Sequence, residues 1–375
     1  MNIENKPQII EHINYCLDNT IYDLKWVHGK SNIIAVGEML DKKGYIHIYN
    51  LDRGKFTCIS KTNLDKGVKT IAPFFSSTGT YTIACGSFDG NILLYDINNM
   101  SEEYYKIRKH TKLINKIDCK NYKNNNIIVS ASRDGSVKIF DIRTKQEYFF
   151  FPILYFSLFV VSLEPPKNSS YIPDCWCVET GNNYVEHNAY SNMEEENLNI
   201  CAGYDNGDIK FFDLRTMRLE HEVNVNNGVC AVNYDRKDTK KNKLICSTLE
   251  GNIYIFNLDV YNEVSGYSYS KDKIISGTCW GTPFLPQNRD IFATLGGDGN
   301  LGVYKYVYPE KNSIFDEKIG CKKGIVGELN KLNDLNVSTQ PIISFDWCKD
   351  KLGLSVMASL DQTIKIYIIT KLNLY

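Results

Sequence analysis

Seven times along the chain, a small or apolar strand runs into a tight turn and out again into an alternating strand. The outgoing segments are KGYIHIYNL (43–51), DGNILLYDI (89–97), DGSVKIFDI (134–142), NGDIKFFDL (206–214), EGNIYIFNL (250–258), DGNLGVYKY (298–306) and DQTIKIYII (361–369). Asp-Gly or Asn-Gly between two strand-like segments is the strongest short hairpin signal, because both residues tolerate positive φ. Aligned turn positions are 44, 90, 135, 207, 251, 299 and 362, with Gln362 in the glycine place, so the intervals are 46, 45, 72, 44, 48 and 63. Four of these six lie near the roughly 40–45-residue period of a four-stranded propeller unit. The incoming strands, such as NIIAVG, YTIACGS and NICAGY, are β-branched or small, as suits a strand buried on both faces.

Four-stranded units of this kind bury their faces only against one another, and radial closure gives each unit two neighbours and leaves no open end. The sequence therefore predicts an all-β fold: a single seven-bladed β-propeller spanning residues 1–375. The last repeat has three strands, so PQIIEHIN (about 7–14) is expected to supply the fourth and close the ring. Two intervals are long. They predict an insertion at about 148–170, on the boundary of blades three and four, and a long loop at about 309–340.

The units resemble WD repeats, with Tyr or Phe where Trp usually stands: YD (95–96), FD (140–141) and FD (212–213). Unit three comes nearest to the family's hydrogen-bonded tetrad. His110 precedes its first strand, Ser132 ends its second, Asp134 lies in its turn, and Phe140 replaces the Trp. A narrower resemblance is carried by KPQII (6–10), KWV (25–27), SRDGSVK (132–138), CAGYDNGDIKFFDLR (201–215), NGVC (227–230), FLPQNR (284–289), STQPI (338–342) and TIKIYIITKLN (363–373). These stretches are similar to Monad-type WD-repeat proteins of the axonemal dynein assembly factor family. That resemblance runs the length of the chain. It implies a non-catalytic cytoplasmic adaptor that works with RuvB-like ATPases and tetratricopeptide and prefoldin-like co-chaperones on dynein heavy chains before cilia or flagella are built. It also implies a monomeric propeller.

Composition argues in the same direction. A net charge of -1 gives no electrostatic reason for nucleic acid or an anionic membrane as the main partner. The densest basic run, DRKDTKKNK (235–243), reads as a solvated loop. Twelve scattered Cys, the closest pair being Cys175-x-Cys177, fit small core residues in a reducing compartment rather than a zinc site. The start of the chain has no apolar signal region.

Candidate chemistry resolves mostly into structure. Asp89, Asp134, Asp298 and Asp361 recur once per blade beside the turn position, so they read as turn residues bonding local backbone or the His and Ser of their own blade. Asp205 and Asp208 are expected to be solvated or turn-bound. GGDGNLG (296–302) holds a G-x-G-x-x-G, but a dinucleotide site needs a helix after it, and here a strand is predicted. No catalytic, cofactor or metal constellation emerges. Trp26 and Trp347 end their first strands and are expected in the core. Trp176 and Trp280 sit nearer the propeller mouth, where a large amphipathic ring is a candidate binding anchor.

Three readings compete for the scaffold. The chaperone-linked adaptor leads. DIR (141–143) and DLR (213–215) resemble the W-D-x-R box of cullin-4 substrate receptors, which makes that the alternative. A reader of modified histone tails comes third.

Residues 148–163, YFFFPILYFSLFVVSL, are sixteen uncharged residues with Pro152 among them and Glu147 and Glu164 at the ends. A membrane span needs about 20 apolar residues. The run is expected to be either a retained intron in the gene model or a lineage insertion at the edge of blade three. Sequencing the cDNA decides between them: the intron reading expects a transcript that lacks these codons, and a transcript encoding the whole run rules it out.

Overall fold

This computed structural model describes residues 6–375 except 76–78, 123–124, 143–158, 164–170, 185–195, 215, 217, 238–239 and 318–319. Seven antiparallel sheets follow one another around a ring. Blade one shows the pattern: Thr20–Trp26, Asn32–Glu38, Gly44–Asp52 and Lys55–Leu64 run from the channel outward in simple up-and-down order. Blade seven is composite. Its inner strands are Ile342–Trp347, Leu354–Ser359 and Thr363–Ile369, and its outer strand is Ile9–Cys16, paired antiparallel from Ile9↔Ile369 to Cys16↔Thr363. The closing strand expected at about 7–14 is thus found, two residues further along.

The apolar core explains why the ring must close. It divides into seven clusters, one at each seam between neighbouring blades. Along the second strand of blade one, Ile33 and Ala35 pack on blade seven, whereas Ile34 and Val36 pack on blade two. Alternate side chains of one strand therefore serve opposite neighbours. The aromatic that stands in the WD Trp place is buried in every blade: Tyr49, Tyr95, Phe140, Phe212, Phe256, Tyr304 and Tyr367.

Turn chemistry follows the repeat with one exception. Gly90, Gly135, Gly207, Gly251 and Gly299 have φ from 74° to 93°, and Gln362 adopts φ 64° in their place. In blade one the left-handed residue is Lys42 (φ 67°), so the alignment of Gly44 with the turn is corrected. Gly44 opens the third strand, and a Cβ there would lie 2.1 Å from the Lys66 carbonyl oxygen. Close approach, and not turn conformation, demands that glycine.

Both long intervals contain strands. Of the segment 148–170, only Phe159–Leu163 lies within the described residues, and it pairs with Val137–Asp141 as the outer strand of blade three. The loop expected at about 309–340 is also corrected. It holds a hairpin, Ser313–Asp316 with Cys321–Gly324, and the outer strand of blade six, Glu328–Asn336. Asn257 Nδ2 donates to Ile325 O (2.7 Å) and Asn262 Nδ2 to Lys322 O (3.1 Å), docking that hairpin on blade five. No helix of the described residues is long and apolar enough to cross a membrane.

The composite blade makes a direct prediction. Removing residues 1–16 strips Ile9 from the seam of blades six and seven and the Glu11 carboxylate from the Tyr367 hydroxyl (3.0 Å). The expected result is a melting temperature lower by roughly 10 °C, equivalent to several kcal/mol. An unchanged melting curve would mean that the strand closes nothing.

Candidate functional site

The sequence-marked residues gather at one end of the ring, where each turn between second and third strands adjoins the segment entering the first strand. Backbone hydrogen bonds tie the two together in six blades: Phe88 N–H to Gly67 O, Arg133 to Leu113, Asp205 to Asp174, Leu249 to Gly228, Gly297 to Thr278 and Leu360 to Pro341.

In blade three, buried His110 lies with Nδ1 3.0 Å from Asp134 Oδ2 and Nε2 2.7 Å from Ser130 Oγ. Burial pushes the Asp134 carboxyl up, but bonds from His110 and the Ser136 hydroxyl (2.6 Å) outweigh it and hold the pKa far below the usual range. The serine on the ring is therefore Ser130, a correction to the expectation for Ser132. Ser132, the last residue of its strand, instead donates to Leu113 O (2.9 Å) and accepts the Asp134 N–H (3.1 Å) in the turn.

The other turn acids are similarly engaged. Asp89 accepts from Ser87 Oγ and from Asn91 Nδ2 (2.5 Å). Asp298 accepts from Asn300 N (3.1 Å) and Nδ2 (2.7 Å). Asp361 accepts from Thr363 N (3.0 Å) and from Ser338 Oγ (2.8 Å), so Ser338 takes the histidine's place in blade seven. Asp205 accepts from Tyr171 OH (2.6 Å) and Asp174 N (3.0 Å), and Asp208 from Asn224 Nδ2 (2.6 Å). The glycines of GGDGNLG lead into the strand Asn300–Val307, which leaves no helix N-terminus for a phosphate.

Each innermost strand also carries a β-bulge near this end. The register skips one residue in every blade: Tyr22, Lys69, Asn115, Trp176, Cys230, Trp280 and Ile343. These seven are half-buried or exposed, whereas the residue before each is buried. A bulge re-aims a side chain in this way. Trp176 and Trp280 (38% exposed) thus share a ring at the mouth, while Trp26 and Trp347 are buried. Trp176 and Leu249 flank Gly228, where a Cβ would come within 3.1 Å of the indole and 2.9 Å of the leucine. Across the ring, Lys69 Nζ donates to Asn115 Oδ1 (2.9 Å) and Asn115 Nδ2 to Cys175 O (2.8 Å).

Below the bulges, polar side chains stitch each first strand to the next. Asp23 accepts Ile71 N–H (3.0 Å) and Thr70 Oγ1–H (3.1 Å), and Thr70 Oγ1 accepts Ile117 N–H (3.3 Å). Asp118 accepts Thr180 N–H (2.8 Å), Glu179 accepts Tyr234 N–H, and Asn233 Oδ1 accepts Thr282 N–H (3.3 Å). Trp347 Nε1 donates to Pro283 O (3.1 Å), and Asp346 accepts Trp26 N–H (2.8 Å), which completes the circle. Burial alone would raise the Asp23 pKa. Lys116, Lys25, the Ser344 hydroxyl and the Ile71 N–H overcome it and hold the carboxyl below its ordinary value.

Sequence reasoning missed this circuit, and the solvated loop it expected at 235–243 holds for only part of that run. Lys237 reaches Asp118 (2.8 Å) and Glu179 (2.9 Å) in other blades. Lys243 is fully buried between Asp290 (2.8 Å) and the Tyr308 hydroxyl (2.6 Å), and Asp235 is buried against Arg289 (2.6 Å). Among the described residues of the run, Lys237 and Lys240 are exposed, whereas Asp235, Lys241 and Lys243 are buried. Lys241 is also buried, with its pKa pushed down to about 8 by desolvation. Arg143 and Arg215, the arginines of the cullin-receptor pattern, lie outside the described residues.

Replacing Asp23 with Ala would leave the Ile71 N–H, the Thr70 and Ser344 hydroxyls and the Lys116 ammonium short of an acceptor. The expected cost is about 3–5 kcal/mol in denaturant unfolding. A loss below about 1 kcal/mol would show that the circuit contributes no more than an ordinary hydrogen bond.

Comparison with known proteins matches residues 56–96 and 101–141 to the WD domain, G-beta repeat. Each match begins in or just before the outer strand of one blade and ends with the third strand of the next. The chain is 36% identical over 377 residues to dynein axonemal assembly factor 10 of Homo sapiens, covering 100% of this chain and 99% of that one. The same-named proteins of Chlamydomonas reinhardtii and Xenopus laevis are 33% and 36% identical, covering at least 98% of both chains.

Proposed function

The chain belongs to the dynein axonemal assembly factor 10 family, and from that premise we propose that it is a non-catalytic cytoplasmic adaptor. In this reading it links chaperone and co-chaperone machinery to the folding and assembly of axonemal dynein heavy chains. The observation that carries it is the end-to-end match to relatives named for dynein assembly, at 33–36% identity and without a missing blade. The physical form agrees. A ring with seven seams and a side-chain circuit at its axis forms a scaffold that presents its loops to partners. Rigid presentation of side chains lowers the ordering cost of association.

Within this reading the partners include a RuvB-like ATPase, tetratricopeptide and prefoldin-like assembly, as the family resemblance implies. Trp176 and Trp280 are the proposed anchors at the mouth, since exposed aromatics in a formed ring suit hot spots. Affinity purification from cells building flagella tests both levels. The protein is expected to recover dynein heavy chains and a tetratricopeptide co-chaperone, with recovery reduced several-fold by the Trp176→Ala, Trp280→Ala pair. Recovery of the cullin-4 adaptor with neither dynein nor co-chaperone would overturn the adaptor reading.

A further inference from the structure

At the opposite end of the strands, the seam between blades one and seven opens into a cavity of about 520 Å³. Clefts of roughly 300–1,000 Å³ hold ligands in known proteins. Its wall joins three parts of the chain: the closing strand through His12, blade one through Trp26, Lys30 and Arg53, and blade seven through Lys351 and Leu352. The turn bearing Arg53 lies close to the closing strand, since a Cβ on Gly54 would sit 4.0 Å from His12 Nε2.

Two observations define what this cavity takes. The first is charge. Lys30, Arg53 and Lys351 are exposed and make no ion pair among the described residues. The acid in the wall, Asp350, is already occupied by His28 Nδ1 (3.1 Å) and the Gly29 N–H (2.9 Å). The second is the apolar lining beside those cations. The remaining wall is apolar: Leu352 and Ile368 are exposed, and Leu51 and Leu354 are half-buried.

We propose that this seam binds a short, extended acidic segment of a partner protein. One carboxylate of the segment pairs with Arg53 and Lys351, and an apolar side chain of the segment lies on Leu352 and Ile368. The unpaired cations select negative charge, and the leucine and isoleucine surface selects a peptide over a bare anion. A ligand held here touches the closing strand and both blades of the seam, so its binding also tightens the ring closure. This deepens the adaptor reading by adding a second binding surface, remote from the bulge ring.

The test uses the purified full-length protein and a fluorescein-labelled octapeptide of alternating Glu and Leu, followed by fluorescence anisotropy. Saturable binding is expected, roughly tenfold weaker for the Arg53→Glu, Lys351→Glu variant. Saturating peptide is expected to raise the melting temperature, as any ligand selective for the folded state does. Both charge-reversed side chains are exposed, so the substitutions leave the packed core in place and the variant decides the matter. Equal affinity for the charge-reversed protein would overturn the proposal. So would equal binding of a Lys-Leu octapeptide, or full displacement of the peptide by millimolar inorganic phosphate. Because only purified components are used, failure here would leave the co-purification result, and the adaptor reading, untouched.

Discussion

Every blade of this protein is apolar on both faces, and that constraint governs the rest. A sheet of this kind has no stable existence alone, and a linear stack would leave two apolar ends in water. The ring solves the problem only when the last seam forms, and that seam depends on Ile9–Cys16 pairing with Thr363–Ile369 at the far end of the chain. The two WD-repeat matches show the same arrangement in sequence. Each spans the outer strand of one blade and three strands of the next, so the chain is staggered by one strand from beginning to end. Closure is the point at which that stagger is made good.

Apolar packing brings seven blades together but does not by itself fix their rotation about the axis. The polar circuit supplies direction. Each carboxylate, amide or hydroxyl on one first strand accepts a specific backbone N–H on the next, as Asp118 does from Thr180 and Asn233 from Thr282. Hydrogen bonds need alignment where apolar contacts do not. Lys237 acts on two buried acids with opposite outcomes: burial raises both, but Lys237 and the Thr180 bonds overcome it and lower the pKa at Asp118, whereas at Glu179 burial prevails and the pKa is raised.

Fold and register were legible from local features. Asp-Gly turns, alternation and spacing each depend on neighbours in sequence, and they identified the blades, the closing strand and the exceptional Gln362. Residues acting across seams were not legible. Nor was the choice between Ser130 and Ser132, which are two apart on one strand and share a face, so that alternation does not say which meets His110. Lys237 and Asp118 are 119 residues apart, so their pairing exists only once the ring does. Stretches that stood out by resemblance now have physical roles. In FLPQNR, Arg289 pairs with Asp235 and Gln287 Nε2 donates to Cys348 O (3.0 Å), tying blades five, six and seven. In STQPI, Ser338 bonds Asp361, the turn acid of blade seven, and in KPQII the Pro7 carbonyl accepts from Asn333 Nδ2 (2.8 Å).

The bulges have an evolutionary consequence. A residue left out of the pairing register can change without disturbing the alternation that feeds the two flanking seams. The ring at the mouth is therefore a set of seven sites where heritable variation is decoupled from foldability. Tyr, Lys, Asn, Trp, Cys, Trp and Ile already occupy equivalent backbone positions there. A scaffold built this way can drift toward new partners one side chain at a time, while selection on the core stays constant.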